Sequence, residues 1–288
     1  ELLFQALVLG VHDYSQKCGF TQGLIGLSGG IDSALVSAIA SAALGPKQIT
    51  TLLMPSPWSS NGSITDSLTL VKRLGLNSHI VPIERLINSF ELSLTKPLGQ
   101  APEGITAENL QSRIRGTLLM AIANQQGQLL LATGNKSELA VGYCTLYGDM
   151  NGGLAVIGDL YKTSVFSLCD WLDSPHSKEC RERFGLPSEG ELIGKAIREK
   201  IPSAELRPGQ YDSDSLPEYE LLDELLKGLI DENLTPEQLI SKGFEATLVA
   251  KIQKLLRNGE FKRRQAPPLL KVSPQAFGTG WRRPIAAS

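Results

Sequence analysis

The eight residues Gly26-Leu27-Ser28-Gly29-Gly30-Ile31-Asp32-Ser33 restrict the possible folds more than any other stretch of the chain. Before them, Gly23 to Leu27 is a short apolar run suited to a buried parallel strand. After them, Ser33 to Leu44 is rich in Ala, Leu, Val and Ile, lacks Pro and Gly, and stops at Gly45-Pro46, which predicts a buried helix. A glycine-rich loop between a buried strand and a helix N-terminus is an anion site. Unpaired N–H groups and the positive end of the helix dipole meet there, and the glycines let a phosphate approach the backbone. Ser28 and Ser33 add hydroxyl donors. Asp32 repels an anion unless a cation lies between, so it is a candidate Mg²⁺ ligand. The plainer alternative is a strand-to-helix turn with a capping Ser.

Further strands follow at Ile49 to Met54 and His79 to Ile83. Strand, helix and strand at this spacing call for an α/β fold, a doubly wound parallel sheet with helices on both faces. Ser63-Ile64-Thr65-Asp66 reads as a capping box opening a helix that ends at Gly75, and Arg85 to Leu94 is helical. Ligands on such sheets lie beyond the carboxyl ends of the strands. Met54 is therefore either an adenine neighbour through its backbone or simply core. Thr106 to Asn124 is a long helix on which Asn109 and Arg113 lie four apart; they either receive an anionic or amide-bearing ligand or form a solvated first turn.

The strand Leu129 to Ala132 runs into Thr133-Gly134-Asn135-Lys136-Ser137-Glu138, the second place where the topology puts chemistry. Glu138 is either a second carboxylate on the metal or a surface residue of a helical first turn. Gly142 to Gly153 interleaves four glycines with aromatic and sulfur side chains, which suits a close-packed functional loop better than a mobile one. Lys162 opens a helix running to Leu172, at the end where the dipole disfavours a cation. A phosphate would remove that penalty, so Lys162 is a phosphate ligand or an ordinary exposed lysine.

Residues 1–172 thus form a nucleotide-binding α/β core, 173–210 an insertion and loop, and 211–288 a C-terminal helical extension. Asp173 to Lys200 reads as a polar surface insertion. The extension carries helices at Pro217 to Asp231, after the Thr235 cap, and at Glu245 to Asn258. Its run Phe261-Lys262-Arg263-Arg264-Gln265 reads as a solvated turn or an acidic-partner site.

A net charge of −2 and a pI near 6.0 disfavour a nucleic-acid partner. No apolar run has the length of a membrane span. Four cysteines and three histidines show no zinc spacing, and reduced thiols fit a cytoplasmic protein. Glu1 to Gln16 reads as an amphipathic helix already under way, which is expected of a piece of a longer protein.

The loop at 26–33 resembles the pyrophosphate loop, Ser-Gly-Gly-x-Asp-Ser, of the ATP pyrophosphatases that split ATP into AMP and pyrophosphate. With LMPSP at 53–57, ENLQSRIRGTLLMA at 108–121, LATGNKSELAVGYCTLYGDM at 131–150, PSAELRPGQ at 202–210 and FKRRQAPP at 261–268, the chain resembles the synthetase domain of NAD⁺ synthetase. Its details look more like the glutamine-dependent form, in which a glutaminase domain precedes this one; that N-terminal domain is absent here.

The resemblance implies an adenine nucleotide alpha hydrolase-like sheet and the amidation of deamido-NAD⁺ through an adenylated intermediate. ATP and Mg²⁺ are consumed or required, and ammonia is the nitrogen donor. For ATP it implies Gly26, Leu27, Ser28, Gly29, Gly30, Ile31, Asp32 and Ser33, with Met54, Thr133, Lys162 and Ser203. For deamido-NAD⁺ it implies Asn109, Arg113, Glu138 and Lys262, and for the metal Asp32 and Glu138. Asp32 and Lys162 are the expected catalytic residues, with Asp149 placing ammonia or taking its proton. Leu146 departs from the ammonia-dependent branch, which has a Lys there. A homodimer completing the dinucleotide pocket is expected as in relatives. The rivals are another pyrophosphatase-loop enzyme, an amidotransferase or a tRNA-modifying enzyme, and a non-catalytic nucleotide sensor.

Overall fold

The computed structural model describes residues 1–278 and 280–285; the last three residues of the 211–288 extension lie outside the described residues. Five strands form one parallel sheet in the order β3-β2-β1-β4-β5: β1 (Gly23–Gly26), β2 (Ile49–Leu53), β3 (Asn77–Ile80), β4 (Leu129–Ala132) and β5 (Leu154–Ala155). The third strand begins at Asn77 instead of His79 and pairs only with β2, an edge position that leaves Asn77 and His79 exposed.

The helices are α1 (Leu2–Lys17), α2 (Ile31–Leu44), α3 (Asn61–Leu74), α4 (Glu84–Leu98), α5 (Ile105–Gln126), α6 (Lys136–Val141), α7 (Lys162–Leu172), α8 (Lys178–Arg183), α9 (Lys195–Arg198), α10 (Tyr219–Ile230), α11 (Pro236–Ser241), α12 (Ala246–Asn258) and α13 (Glu260–Arg263). Successive strand residues point to opposite faces of the sheet. Ile25, Leu53, Leu129 and Leu131 therefore pack with α1, α2 and α7 on one side. Leu24, Leu52 and Leu130 meet the apolar half of α5 on the other. Both faces are covered, as a doubly wound sheet requires.

Two local expectations change. The cap of α3 is Ser60, whose hydroxyl accepts from the Ser63 N–H, because Ser63 already lies inside the first turn. Residues 173–200 are not a surface insertion. Cys180, Leu186, Leu192, Ile193 and Ile197 join the main core, and the buried Arg181 donates to the carbonyls of Leu172, Pro187 and Gly190. Asp173 accepts from the N–H groups of Leu192, Ile193 and Gly194, so charges that read as solvated tie the segment to itself. The C-terminal helices α10, α11 and α12 make a second apolar cluster with α6.

In this order the chain winds outward from β1 to β3 and then returns to β4. The C-terminal ends of β1 and β4 lie side by side where the winding reverses, the place such sheets bind ligands.

Candidate active site

A cavity of about 450 Å³ opens at that reversal, lined by the loops after β1, β2 and β4 and by α5. Gly26, Leu27, Ser28, Gly30, Ile31, Asp32 and Ser33 all line it, and so do Met54, Thr133, Asn109, Glu138, Asp149, Lys162, Ser203 and Lys262. Helix α2 begins two residues earlier than expected, which puts Asp32 and Ser33 in its first turn; its cap, Gly30, offers no side chain to the first N–H groups. The Ser33 hydroxyl donates to the Gly30 carbonyl at 3.0 Å, and Ser28 Oγ accepts from the Gly30 N–H at 3.2 Å, so the loop braces itself.

Gly29 has φ +81°, and a Cβ there would overlap the backbone of Ser63. Gly29→Ala thus meets a left-handed backbone penalty of about 1–2 kcal/mol together with a backbone clash. It is expected to lower nucleotide affinity at least about tenfold, the equivalent of 1.4 kcal/mol, measured by ATP titration of the folded variant.

The charged centre assembles from three elements. Asp32 on α2 and Glu138 on α6 both face the Lys162 ammonium on α7: Lys162 makes a short ion pair with Asp32 and lies 3.7 Å from Glu138. Asn135 joins the two carboxylates. Its amide donates to Asp32 at 3.0 Å while its carbonyl oxygen caps α6 by accepting the Glu138 N–H. Lys162 is only 2 % exposed, which removes the ordinary surface-lysine alternative. Burial alone would pull its pKa down, but Asp32 and then Glu138 raise it, so it stays charged. Burial, followed by the Asp32 charge, raises the Glu138 carboxyl against the pull of Lys162.

Asp212 adds a third carboxylate nearby, accepting the hydroxyls of Tyr143 (3.2 Å) and Tyr219 (2.8 Å); the Tyr219 ring lies 5.3 Å from the Lys162 ammonium. Asp32 balances the one ammonium, and Glu138, pushed up to about 8 by burial, is the carboxyl that a further cation beside this phosphate-sized loop would ionise. Among the described residues no set of three metal-binding side chains converges. Hard oxygens from two carboxylates, completed by phosphates and water, are nonetheless the donor set Mg²⁺ takes at phosphate sites, so Asp32 and Glu138 fit it.

Other expected residues are placed differently. Helix α5 turns Glu108, Asn109, Ser112, Arg115, Gly116 and Leu119 to the cavity, a helical stripe that leaves Arg113 outside it. Arg113 is exposed and its Nε donates to the Leu146 carbonyl. The cavity-lining arginine is instead Arg115, whose Nε donates to the Met54 carbonyl at 3.1 Å; burial draws it down to about 10, with Glu205 opposing. The Met54 side chain is core, 8 % exposed, while its carbonyl is held at the cavity edge.

Lys262 donates to the carbonyls of Gly142 (2.7 Å) and Cys144 (2.6 Å), and Arg263 is buried with the Leu139 and Ala140 carbonyls. Within the 261–265 run these two cations are therefore held against backbone, while Phe261, Arg264 and Gln265 are exposed. Arg263 meets the last-turn carbonyls of Leu139 and Ala140 and Lys262 the carbonyls just beyond α6, the end of the helix dipole that attracts cations.

Both oxygens of Asp149 are engaged, one by the Thr145 N–H at 2.8 Å and one by the Ser112 hydroxyl at 3.1 Å. Gly148 and Gly116 let this loop pack backbone to backbone on α5, which is the close-packed alternative. Ser203 Oγ donates to Gln210 and accepts from Glu205 N–H. Glu205, at φ +48°, takes the hydroxyls of Ser60 and Ser63 and fastens the 201–210 loop over the head of α3.

A family model described as NAD synthase matches residues 3–266. A glutamine-dependent NAD(+) synthetase of Synechocystis sp. is 54% identical over 286 residues, covering 99% of this chain and 49% of that protein. Among solved structures, glutamine-dependent NAD+ synthetase from Acinetobacter baumannii in complex with adenosine diphosphate matches with a TM-score of 0.64 and 40% identity, over 98% of this chain and 49% of that one. NMN synthetase from Francisella tularensis matches with a TM-score of 0.71 and 26% identity, over 92% of this chain and 95% of that one. The chain spans about half the length of the curated relatives it matches.

Proposed function

The chain belongs to the NAD synthase family, and from that premise we propose that it amidates deamido-NAD⁺ to NAD⁺ at the expense of ATP, through an acyl adenylate. The observation that carries the reading is the buried Lys162 ammonium set between Asp32 and Glu138 beside the open head of α2.

Two chemical steps suffice. The nicotinate carboxylate attacks the α-phosphorus, forming one O–P bond as the bond to pyrophosphate breaks. Ammonia then attacks the acyl carbon; AMP leaves with one of the former carboxylate oxygens, and a proton goes to solvent. The first step brings two anions together, so positive charge around the phosphates decides its rate. Lys162 supplies a fixed ammonium, and the first-turn N–H groups of α2 supply oriented dipoles. Mg²⁺, held by Asp32 and Glu138 with the phosphates, would neutralise charge and orient the pyrophosphate leaving group.

Asn109 and Lys262 line the dinucleotide end of the cavity in this reading. Thr133 and Ser203, which also line the cavity, are assigned to ATP in the same reading. Each Asp149 oxygen keeps a lone pair beyond the bond it already accepts, so that side chain orients ammonia or takes its proton. Arg113 lies outside the cavity of a single copy, and its dinucleotide role is proposed to be met with a second copy of the chain beside α5. A homodimer is therefore part of the reading, and the exposed Phe90 and Leu92 of α4 support it. A glutaminase domain ahead of this one is likewise proposed from the length of the relatives. Among the described residues no helix is long and apolar enough to cross a membrane. The four free cysteines fit the reducing cytoplasm.

The test is amide formation with ammonium or glutamine as nitrogen source and deamido-NAD⁺ or nicotinic acid mononucleotide as acceptor. Ammonium-supported NAD⁺ formation from deamido-NAD⁺ is expected of these residues alone. Amidation of the mononucleotide only, or pyrophosphate release without amide, would contradict the proposal.

A further inference from the structure

Helix α7 carries Lys162 in its first turn, yet its cap residue, Tyr161, gives no side-chain cap. The exposed N–H groups of that turn are satisfied from elsewhere. Lys162 N–H donates to Ser137 Oγ at 2.9 Å, and Thr163 N–H donates to one oxygen of Asp223 at 2.8 Å. The Ser137 hydroxyl donates in a short bond to the other oxygen of Asp223. Ser137 precedes Glu138 on α6, and Asp223 stands on α10, 0 % exposed. One further bond, Lys136 N–H to the Leu160 carbonyl at 2.8 Å, joins the same two helix starts.

We propose that Asp223 is a positioning residue: one buried carboxylate from the C-terminal helices fixes the first turns of α6 and α7 against each other, and so sets Lys162 relative to Glu138. A carboxylate suits the place for two reasons. It meets two donors with two acceptor oxygens, which an amide cannot do. Its charge at the head of an 11-residue helix also offsets the unfavourable placement of Lys162 there. Asp223 acts through Ser137 and the main chain, so its loss shifts the ammonium without removing it.

The inference rests on the reading in which Lys162 drives pyrophosphate release. Misplacement of a catalytic group by about 1 Å costs on the order of 10²-fold. Asp223→Asn in the intact protein is therefore expected to slow single-turnover pyrophosphate release by about that factor, with KM for ATP and dinucleotide changed by less than about threefold. Ser137→Ala should act in the same direction more weakly. The double variant should be no slower than Asp223→Asn by more than about twofold, because the two side chains form one network.

A normal release rate in Asp223→Asn, whatever its thermal stability, would overturn the inference. So would KM rising as much as the rate falls, or additive effects in the double variant. If Asp223→Asn does not fold, Ser137→Ala carries the test, and a normal rate there overturns it. Lys162→Ala run alongside separates the two levels. An inactive Lys162→Ala with a fully active Asp223→Asn rejects only the positioning role; a fully active Lys162→Ala rejects the reading beneath it.

Discussion

Asp32→Ala is expected to abolish ATP-dependent pyrophosphate release, lowering it by at least about 10³-fold, while the protein stays folded. Asp32 lies in the first turn of α2 and is not core. Its removal takes nothing from the Ile25, Leu35 and Ile39 packing that holds the helix on the sheet. What it does remove is the short ion pair of Lys162 and the acceptor for the Asn135 amide. It also takes one of the two carboxylates that fit Mg²⁺. Loss of several kcal/mol of charge stabilisation in the transition state, at 1.36 kcal/mol per factor of ten, gives the stated fall. Pyrophosphate release measured with circular dichroism on the same sample checks both halves. Near-normal turnover would remove Asp32 from the metal.

Lys162→Ala is expected to lower the rate of adenylation by about 10²–10³-fold, the usual cost of one oriented charge donor at a developing anion. Dinucleotide affinity should change far less, because the charge that Lys162 meets develops on the phosphoryl oxygens and the departing pyrophosphate only as the bonds change, while the nicotinate carboxylate loses its own. There is a second consequence. Without the ammonium, Asp32 and Glu138 face each other with Asn135 as their remaining bridge, and the Glu138 carboxyl, already raised by burial and Asp32, loses the charge that most opposes that rise. Single-turnover rates and dinucleotide titration distinguish the effects; equal losses in both would argue against a transition-state role.

Much of this site was legible in the sequence because its signals are local. The strand, glycine turn and helix around Asp32 occupy some twenty contiguous residues, and Glu138 lies just past the carboxyl end of β4, where the topology puts chemistry; the capping box that Asn135 makes with it was not read. Lys162 stood out as a cation at the wrong end of a helix, and its burial against two carboxylates resolves that conflict. Long-range partners were not legible. Arg115 faces the cavity and Arg113 does not, a difference fixed by how α5 is rotated on the sheet. Spacing alone could not show that rotation. Asp212, Asp223 and Tyr219 lie some 50 or more residues beyond Lys162 and reach the site only after the C-terminal helices fold back over α6.

The polar stretch 173–200 misled for a related reason. Charged side chains usually mark solvent, but Arg181 and Asp173 spend their hydrogen bonds on backbone groups that the packed segment would otherwise leave bare. Lys262 and Arg263 repeat the pattern at the end of α6. In both places the chain uses charge to satisfy buried backbone, which composition alone reads as surface.

In the proposed reaction the acceptor's carboxylate, and no protein group or water, attacks the α-phosphorus of ATP. Deamido-NAD⁺ carrying ¹⁸O in its nicotinate carboxylate, turned over with ATP and ammonium, tests it directly by mass spectrometry of the products. One ¹⁸O is expected in AMP and none in pyrophosphate. Unlabelled AMP, or label recovered in pyrophosphate, would contradict it.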